Sequence, residues 1–193
     1  MKQGLRNMRI ERKWAMPDAC TFSILPIKQL LEEELKGEEW ADPFARNTNY
    51  AKYTNDINPN TKAKSNLEAL DFLKGFETNS LDGVLFDPPY SPRQIKEVYD
   101  EIGIPLHDTK SSVWSNWKKE IARIVKRGGR VISFGWNTCG IGLTLDFKMN
   151  RILLVCHGGN HNDTIITVET KGNKINYPSA KQTKLFGVDE NED

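Results

Sequence analysis

Three segments of this chain end on an aspartate after a run suited to a strand, and that pattern constrains the fold most strongly. The clearest is residues 83–87, Gly-Val-Leu-Phe-Asp, and shorter segments end at Asp42 and Asp56. Short apolar runs predict buried strands, and amphipathic stretches between them predict the helices that cross over a parallel sheet. We therefore predict an α/β core in which the three aspartates meet at the carboxyl edge of the sheet, where such sheets bind ligands.

The rest of the chain completes this pattern. In chain order it predicts a β-like segment over 21–25, a helix over 26–35, a short helix or turn over 66–74, a helix over 113–125 stopped by Gly128-Gly129, and a strand over 130–134. Two further β-rich runs, 152–156 and 164–168, flank a glycine-containing connection. The predicted fold is a mostly parallel sheet with a C-terminal antiparallel hairpin and helices on both faces.

The bulk properties favour one domain of ordinary soluble type. The chain has 193 residues with a net charge of +1, so a nucleic acid would have to be held by a local basic patch. We expect a polar N-terminal extension over 1–20, a catalytic core over 21–170 and a polar to acidic tail over 171–193. The sequence shows neither a secretory signal nor an apolar run long enough to span a bilayer, so we expect a cytoplasmic protein with three reduced cysteines.

The tetrapeptide Asp87-Pro88-Pro89-Tyr90 is the motif that carries chemistry. Its prolines end strand pairing and impose a rigid turn. The Asp87 carboxylate and the Pro88 carbonyl can each accept one N–H of an exocyclic amine, which frees the nitrogen lone pair for attack on a methyl group. Tyr90 offers a face on which a flipped base can stack. The alternative is a structural turn, since aspartate and proline are common turn residues.

Five further segments accompany the tetrapeptide: 42–47 (DPFARN), 54–59 (TNDINP), 69–73 (ALDFL), 131–137 (VISFGWN) and 157–164 (HGGNHNDT). In this order the pieces resemble the DPPY-motif amino methyltransferases, in particular small stand-alone DNA adenine methyltransferases of phages and other mobile elements. The resemblance runs from about Phe22 to Lys171. It implies a Rossmann-like methyltransferase fold, S-adenosylmethionine as cofactor, and site-specific, direct in-line methylation of adenine N6 in DNA, in the host cytoplasm if phage-encoded.

The resemblance also implies the cofactor site. The turn after the first strand should approach the methionine part of the cofactor; its residues are Asp42, Pro43, Phe44, Ala45, Arg46 and Asn47. The family turn is usually glycine-rich, so we expect Arg46 or Asn47 to contact the methionine carboxylate through side chains, unless Arg46 is a solvated surface charge.

Two more pairs should complete the cofactor site. Asp56 ends the second strand, where an acidic side chain can accept from both ribose hydroxyls, and Ile57 can pack on the adenine. The resemblance places Asp71 and Phe72 at the cofactor's adenine amino group. Alternatively, Asp71 belongs to the polar face of a helix.

Substrate contacts are expected from residues after the tetrapeptide. Arg93, Lys96 and Lys110 form either a phosphate-contacting surface or a solvated helical face. Trp136, just beyond a strand end, is a candidate for the base pocket, and His161 is a candidate phosphate contact. Trp114 and Trp117, three apart in a helical segment, favour core packing or a partner surface.

Cys156, His157, His161 and Asp163 lie close enough in sequence to suggest a metal site. Glycines between strong β-formers instead favour a hairpin connection, so we predict no metal. Three functions remain open: the DNA enzyme, an RNA amino methyltransferase acting on adenine N6 or guanine N2, and a catalytically silent DNA- or cofactor-binding subunit. Adenine N6 and cytosine N4 are both open as targets. No segment suits a separate target-recognition domain, so specificity is loop-borne, relaxed, or supplied by a homodimer or a partner subunit.

Overall fold

One mixed sheet organises the molecule. The computed structural model describes residues 8–101, 103, 112–159 and 161–172. The strands of the sheet are β1 (Arg9–Trp14), β2 (Trp40–Asp42), β3 (Tyr53–Thr54), β4 (Leu81–Phe86), β5 (Val125–Gly135), β6 (Phe147–Cys156) and β7 (Thr164–Lys171). The α-helices are α1 (Leu25–Glu34), α2 (Ala69–Lys74), α3 (Pro92–Glu101) and α4 (Ser112–Ile124), with short 3-10 turns at Thr21–Ser23 and Leu143–Leu145.

The strand order is β1-β6-β7-β5-β4-β2-β3, and β7 alone runs antiparallel to its neighbours β5 and β6. The predicted parallel sheet with a C-terminal antiparallel hairpin is therefore confirmed. Strand β2 lies between β3 and β4, both parallel to it. The chain thus moves outward from β2 to β3 and then returns to the other side of β2. A reversal of this kind opens a crevice at the carboxyl ends of the strands, the usual ligand position in open α/β sheets.

Two apolar layers cover the sheet. Ile27, Leu30 and Leu31 of α1 pack on one face in a cluster with Leu85 of β4. Val84, the preceding residue of β4, belongs to the cluster on the opposite face with residues of α2 and α4. This alternation follows from the pleat, which sends successive side chains to opposite faces. Because both faces are buried, the strand sequence is continuously apolar, as predicted for β4.

The segment 21–25 was predicted to be β-like, and this prediction is wrong. Phe22 and Ile24 are indeed buried and Ser23 is exposed, as in a strand. The backbone nevertheless turns, because both the amide and the hydroxyl of Ser23 donate to the Cys20 carbonyl, at 3.0 and 2.7 Å. Alternating burial therefore comes from a 3-10 turn that leads directly into α1.

Two chain ends also differ from expectation. Within the segment expected to be a loose extension, residues 9–14 form β1, which pairs in parallel with β6. Its residues are largely exposed on both faces, so it lacks the apolar alternation that reveals most strands. Lys171, expected to begin a tail, is the buried last residue of β7. None of the helices in the described residues is long and apolar enough to cross a membrane.

Candidate active site

Three aspartates converge at the carboxyl edge of the sheet. Asp42 ends β2, Asp56 follows β3 after one residue, and Asp87 directly follows β4. Asp42 is fully buried, and burial raises its pKa to about 8, with the charges of Asp87 and Asp56 adding to the increase. The amide of Phe44 and the hydroxyl of Thr48 oppose this increase by donating to its carboxylate oxygens, at 3.0 and 3.5 Å. The edge therefore concentrates acidic groups in a poorly solvated place, which holds Asp42 largely in its protonated form at neutral pH.

The turn after β2 has the backbone shape of a glycine turn without a glycine. Arg46 has a φ of +49°, the left-handed region that glycine usually supplies. Its amide donates to Asp56 Oδ2 at 3.0 Å, and the amide of Ala45 donates to the Asn55 carbonyl at 2.8 Å. The departure from the glycine-rich family pattern is thus one of residue type, whereas the backbone conformation at Arg46 is the one that glycine favours.

Of the side chains in this turn, those of Arg46 and Asn47 are exposed, whereas Asp42, Pro43 and Ala45 are buried. Arg46 is exposed, and its Nη1 donates to the Ala19 carbonyl at 3.3 Å. Its charge acts on Asp87, where it lowers the pKa of that carboxyl. Asn47 is also exposed and accepts from the Lys62 amide at 3.0 Å. Arg46 therefore bridges the turn and the segment before α1, next to Asp87, rather than standing as an isolated surface charge.

Asp56 ties the end of β3 to this turn. Besides the Arg46 amide, its carboxylate accepts from the Asn58 amide at 2.9 Å, so both oxygens already hold a backbone donor. Each oxygen retains a second lone pair, which leaves capacity for a ligand hydroxyl. Ile57, half-buried, follows directly.

The third predicted cofactor pair lies on α2. Phe72 is buried in the core, whereas the side chain of Asp71 is 69% exposed and lies 3.7 Å from Lys74 Nζ. This geometry matches the polar helix face that the sequence offered as the alternative for Asp71.

The tetrapeptide forms a turn in which Tyr90 folds back over Asp87. The Tyr90 hydroxyl donates to Asp87 Oδ1 at 2.5 Å, and its amide donates to Gln94 Oε1 of α3 at 2.6 Å. Burial raises the pKa of Asp87 to about 6, while hydrogen bonds from Tyr90 and Thr21 and the charge of Arg46 lower it. A carboxylate with this pKa is ionised at neutral pH and can still accept a proton.

An aromatic pocket adjoins the tetrapeptide. Its walls include Pro88, Tyr90, Trp114, Lys118, Ser133 and Trp136, and it encloses about 130 Å³. The rings of Tyr90 and Trp136 lie 5.3 Å apart at 66°, and Trp136 is 44% exposed. A wider, mostly apolar cleft of about 490 Å³ near Leu143 contains no residue of the tetrapeptide. The first pocket therefore combines the reactive turn with aromatic surface on which a base can stack.

The tryptophans of α4 divide between core and pocket. Trp117 is buried with its ring 5.0 Å from that of Phe44, as core packing predicts. Trp114 instead lines the pocket, and its Nε1 donates to the Pro89 carbonyl at 3.2 Å. Sequence reasoning missed this placement; the available signal was that Trp114 lies in the first turn of a helix whose N-terminus must approach the carboxyl edge of the sheet.

The expected phosphate contacts are spread over the surface. Arg93 and Lys96 are exposed on α3, and Arg93 Nε pairs with Glu97 at 2.7 Å. Lys110 lies outside the described residues. His161 is exposed in the β6–β7 connection. Lys118 of α4 lines the pocket.

The hairpin histidine His157 has a structural environment. It is buried, with Nδ1 2.9 Å from the Ala15 carbonyl and Nε2 2.9 Å from Thr164 Oγ1. A carbonyl can only accept, so Nδ1 carries the proton and Nε2 accepts from the threonine hydroxyl. Among the residues that the structure describes, no group of three or more His, Cys, Asp or Glu side chains is placed to hold a metal ion.

Comparison with known proteins identifies the fold. No protein-family model and no curated protein sequence matches the chain. The crystal structure of TrmN from Thermus thermophilus matches with a TM-score of 0.50 and 14% identity, over 77% of this chain and 49% of that one. The chain thus spans about half the length of TrmN.

A Haemophilus influenzae protein provisionally described as a methylase gives a TM-score of 0.44 at 12% identity, over 82% of this chain and 92% of its own. A score at that level carries no argument by itself. Together with the strand order, the likeness to TrmN confirms the predicted fold: the chain has a Rossmann-like α/β fold, with a C-terminal antiparallel hairpin, that is similar to the fold of TrmN.

Proposed function

We propose that this protein is an S-adenosylmethionine-dependent DNA methyltransferase that transfers a methyl group to N6 of a flipped adenine. The observation that carries the proposal is the position of Asp87 and Pro88. They directly follow β4 at the crevice, and Pro88 lines the aromatic pocket together with Tyr90, whose hydroxyl donates to Asp87. A carboxylate and a carbonyl beside stacking surface are the groups that an exocyclic amine requires for activation.

The charges at the crevice suit a cationic cofactor. Asp42 and Asp87 have raised pKa values chiefly because they are buried, and Arg46 is the cation that acts on Asp87. A ligand with positive charge would lower the electrostatic cost of ionising them. S-adenosylmethionine carries a sulfonium and an ammonium, and supplies an electrophilic methyl group. In this proposal the Asp42–Asn47 turn and Asp56 hold it.

The protein's own groups then do three things. Tyr90 and Trp136 stack the extruded base, which removes it from the duplex and excludes water. Asp87 and the Pro88 carbonyl each accept one N–H, so that the nitrogen lone pair points to the methyl carbon. As the new N–C bond forms and the S–C bond breaks, the amine loses one proton, and Asp87 can take it up because its pKa is about 6.

The choice of DNA and of adenine rests on the resemblance of the six sequence segments to small phage-type enzymes. The groups proposed to contact phosphate are the exposed Arg93 and Lys96 and the half-buried Lys118, together with His161 and Lys110. We expect sequence selectivity to come from short loops or from a second subunit.

The test is direct identification of the product. Purified protein is incubated with methyl-labelled S-adenosylmethionine and, in parallel, with unmodified duplex DNA, single-stranded DNA and RNA. The nucleosides are then separated and identified by mass spectrometry. We expect N6-methyldeoxyadenosine that is absent with Asp87→Ala. Label confined to RNA or to cytosine would replace the proposed substrate, and no transfer to any nucleic acid would refute the proposal.

A further inference from the structure

Ser133 brings an unused hydrogen-bonding group to the pocket. It lies in β5 directly opposite Phe86 of β4, the residue before the tetrapeptide. It is 7% exposed, and its hydroxyl has no hydrogen-bond partner among the residues that the structure describes. Buried polar groups in folded proteins almost always have a partner, so an orphan hydroxyl at a pocket wall points to a ligand.

A second orphan hydroxyl provides an internal comparison. Thr167 of β7 pairs with Ser133 across the sheet, is 1% exposed and likewise lacks a partner within the described part of the chain. Cross-strand partners project to the same face of a sheet. Only Ser133 of the two lines the pocket. The two residues therefore share burial and an unmet hydroxyl but differ in access to a base.

The other neutral side-chain donors of the pocket that are at least partly buried are already engaged, whereas Trp136 and Asn137 are exposed. The Trp114 indole N–H donates to the Pro89 carbonyl, and the Tyr90 hydroxyl donates to Asp87. Lys118 supplies a charge rather than a neutral donor and acceptor. Ser133 is thus the buried neutral side chain of this pocket whose hydrogen-bond donor and acceptor are both free. Such a group suits the edge of an uncharged heterocycle.

Resting on the proposed function, we propose that the Ser133 hydroxyl donates a hydrogen bond to one of the two ring nitrogens, N1 or N7, that flank the methylated amine of the flipped adenine. It acts as a specificity-determining residue. A buried hydroxyl satisfied only by the correct base rejects an analogue that lacks the acceptor, because that analogue leaves the hydroxyl unpaired.

The experiment pairs side-chain deletion with single-atom deletion in the substrate. Oligonucleotides carry adenine, 1-deazaadenine or 7-deazaadenine at the methylated position, and kcat/KM is measured for wild type, Ser133→Ala and Thr167→Val. We expect wild type to lose about tenfold on one deaza substrate relative to adenine. Ser133→Ala should show about the same loss already on adenine and little further loss on that analogue. Thr167→Val, which removes the hydroxyl without changing shape, should discriminate as wild type does.

The outcomes separate this inference from the proposed function. Suppose that wild type methylates adenine and that Ser133→Ala discriminates against both analogues as wild type does. The proposed role of Ser133 is then wrong, while the proposed function is unaffected. Equal loss of discrimination in Thr167→Val also overturns it, because the effect would then arise from the strand and not from the pocket. If wild type transfers no methyl group to any nucleic acid, both the role of Ser133 and the proposed function are refuted.

Discussion

Buried ionisable side chains are paired with opposite charges in one region of the molecule and lack such partners in another. Arg151 of β6, whose side chain is 7% exposed, pairs with Glu11 of β1 at 2.6 Å and with Glu33 and Glu34 of α1 at 2.6 and 3.1 Å. At the carboxyl edge, Asp42 has backbone and hydroxyl donors but no paired cation among the described residues, and neighbouring aspartates raise its pKa. The ion pairs of Arg151 hold β1, β6 and α1 together. We expect the unpaired carboxyl group of Asp42 to favour a cationic ligand instead.

Lys171 is a further buried group, a cation held by neutral acceptors, and burial lowers its pKa. Its ammonium donates to the Ala122 and Val125 carbonyls at the end of α4, at 2.6 and 2.7 Å, and to Asn79 Oδ1 at 2.9 Å. Cations are favourable at helix C-termini, where carbonyls lack helical partners. Lys171 thus connects the C-terminus of α4 to β7.

The largest stability effect is expected where the compensation is removed. Arg151→Met should lower the free energy of unfolding by about 2 kcal/mol, because Glu11 and Glu34, with side chains 17% and 18% exposed, lose their shared cation and keep only Arg9 and Arg130 respectively. Glu33→Gln is the control, since that side chain is 53% exposed and should change stability by less than about 1 kcal/mol. Urea denaturation measures both. Equal, small effects would contradict a structural role for the cluster.

At Asp42, which has no paired cation among the described residues, removal of the ionisable group is expected to raise stability and not to lower it. Asp42 has a pKa near 4 when unfolded and about 8 when folded, so the native state binds the extra proton between these values. Its contribution to stability therefore falls as pH rises from about 4 to 8, because ionisation requires the native state to lose this proton. Asp42→Asn keeps an acceptor for the Phe44 amide and removes this charge. We expect the variant to be more stable than wild type at pH 8 by thermal denaturation.

The same substitution should weaken cofactor binding. The affinity of wild type for S-adenosylmethionine should increase with pH through the range in which Asp42 ionises, while that of Asp42→Asn should stay flat. Calorimetry at several pH values measures this. If Asp42→Asn is less stable than wild type at pH 8, or if its affinity for S-adenosylmethionine keeps the wild-type pH dependence, Asp42 does not have the proposed role.

A smaller loss is expected at Asp56. Asp56→Ala should weaken cofactor binding by roughly ten- to a hundredfold, the equivalent of about 1.5–3 kcal/mol, because charge-assisted hydrogen bonds to the ribose are lost. Because Asp56 also holds the Arg46 amide, Asp56→Asn serves as the conservative comparison. It should recover part of the affinity by retaining one acceptor. Wild-type affinity in Asp56→Ala would exclude Asp56 from the site.

The smallest effect concerns the Tyr90 hydroxyl. Tyr90→Phe keeps the stacking face but removes the hydrogen bond that lowers the pKa of Asp87. Activity requires the ionised carboxylate and therefore falls as pH drops through this pKa, so the acid limb of kcat should move to higher pH. At pH 8 we expect a loss of less than about tenfold, whereas Tyr90→Ala loses stacking worth about 1–3 kcal/mol. If the acid limb of kcat does not shift in Tyr90→Phe, the Tyr90 hydroxyl does not control the ionisation of Asp87.

Sequence periodicity predicted the parts of the fold that are buried on both faces. β4 and α4 follow directly from their apolar patterns. β1 could not be predicted this way, because an edge strand exposed on both faces has no such pattern, and its stability comes from ladder hydrogen bonds and the distant Arg151. The turn at Thr21–Ser23 was missed because a 3-10 turn and a strand gave the same alternation of burial.

For the candidate site, the sequence identified the groups that precede or follow a strand end. The aspartates and Trp136 belong to that class. Ser133 could not be recognised, because its interest depends on having no partner in three dimensions. Trp114 was assigned to packing because its spacing from Trp117 matches a helix face. Its ring does lie 5.9 Å from that of Trp117, but it also lines the pocket, which the spacing alone could not show.

The most direct test of the account is whether Asp87 acts on the reaction and not on the fold. Thermal denaturation, calorimetric binding of S-adenosylmethionine, and single-turnover methyl transfer to DNA are measured on wild type and Asp87→Ala. Because the carboxylate acts mainly in the transition state, we predict a folded variant whose cofactor affinity is within about threefold of wild type and whose methyl transfer falls by about a thousandfold. An unfolded variant, or transfer near the wild-type rate, would contradict the account by making the tetrapeptide a structural turn.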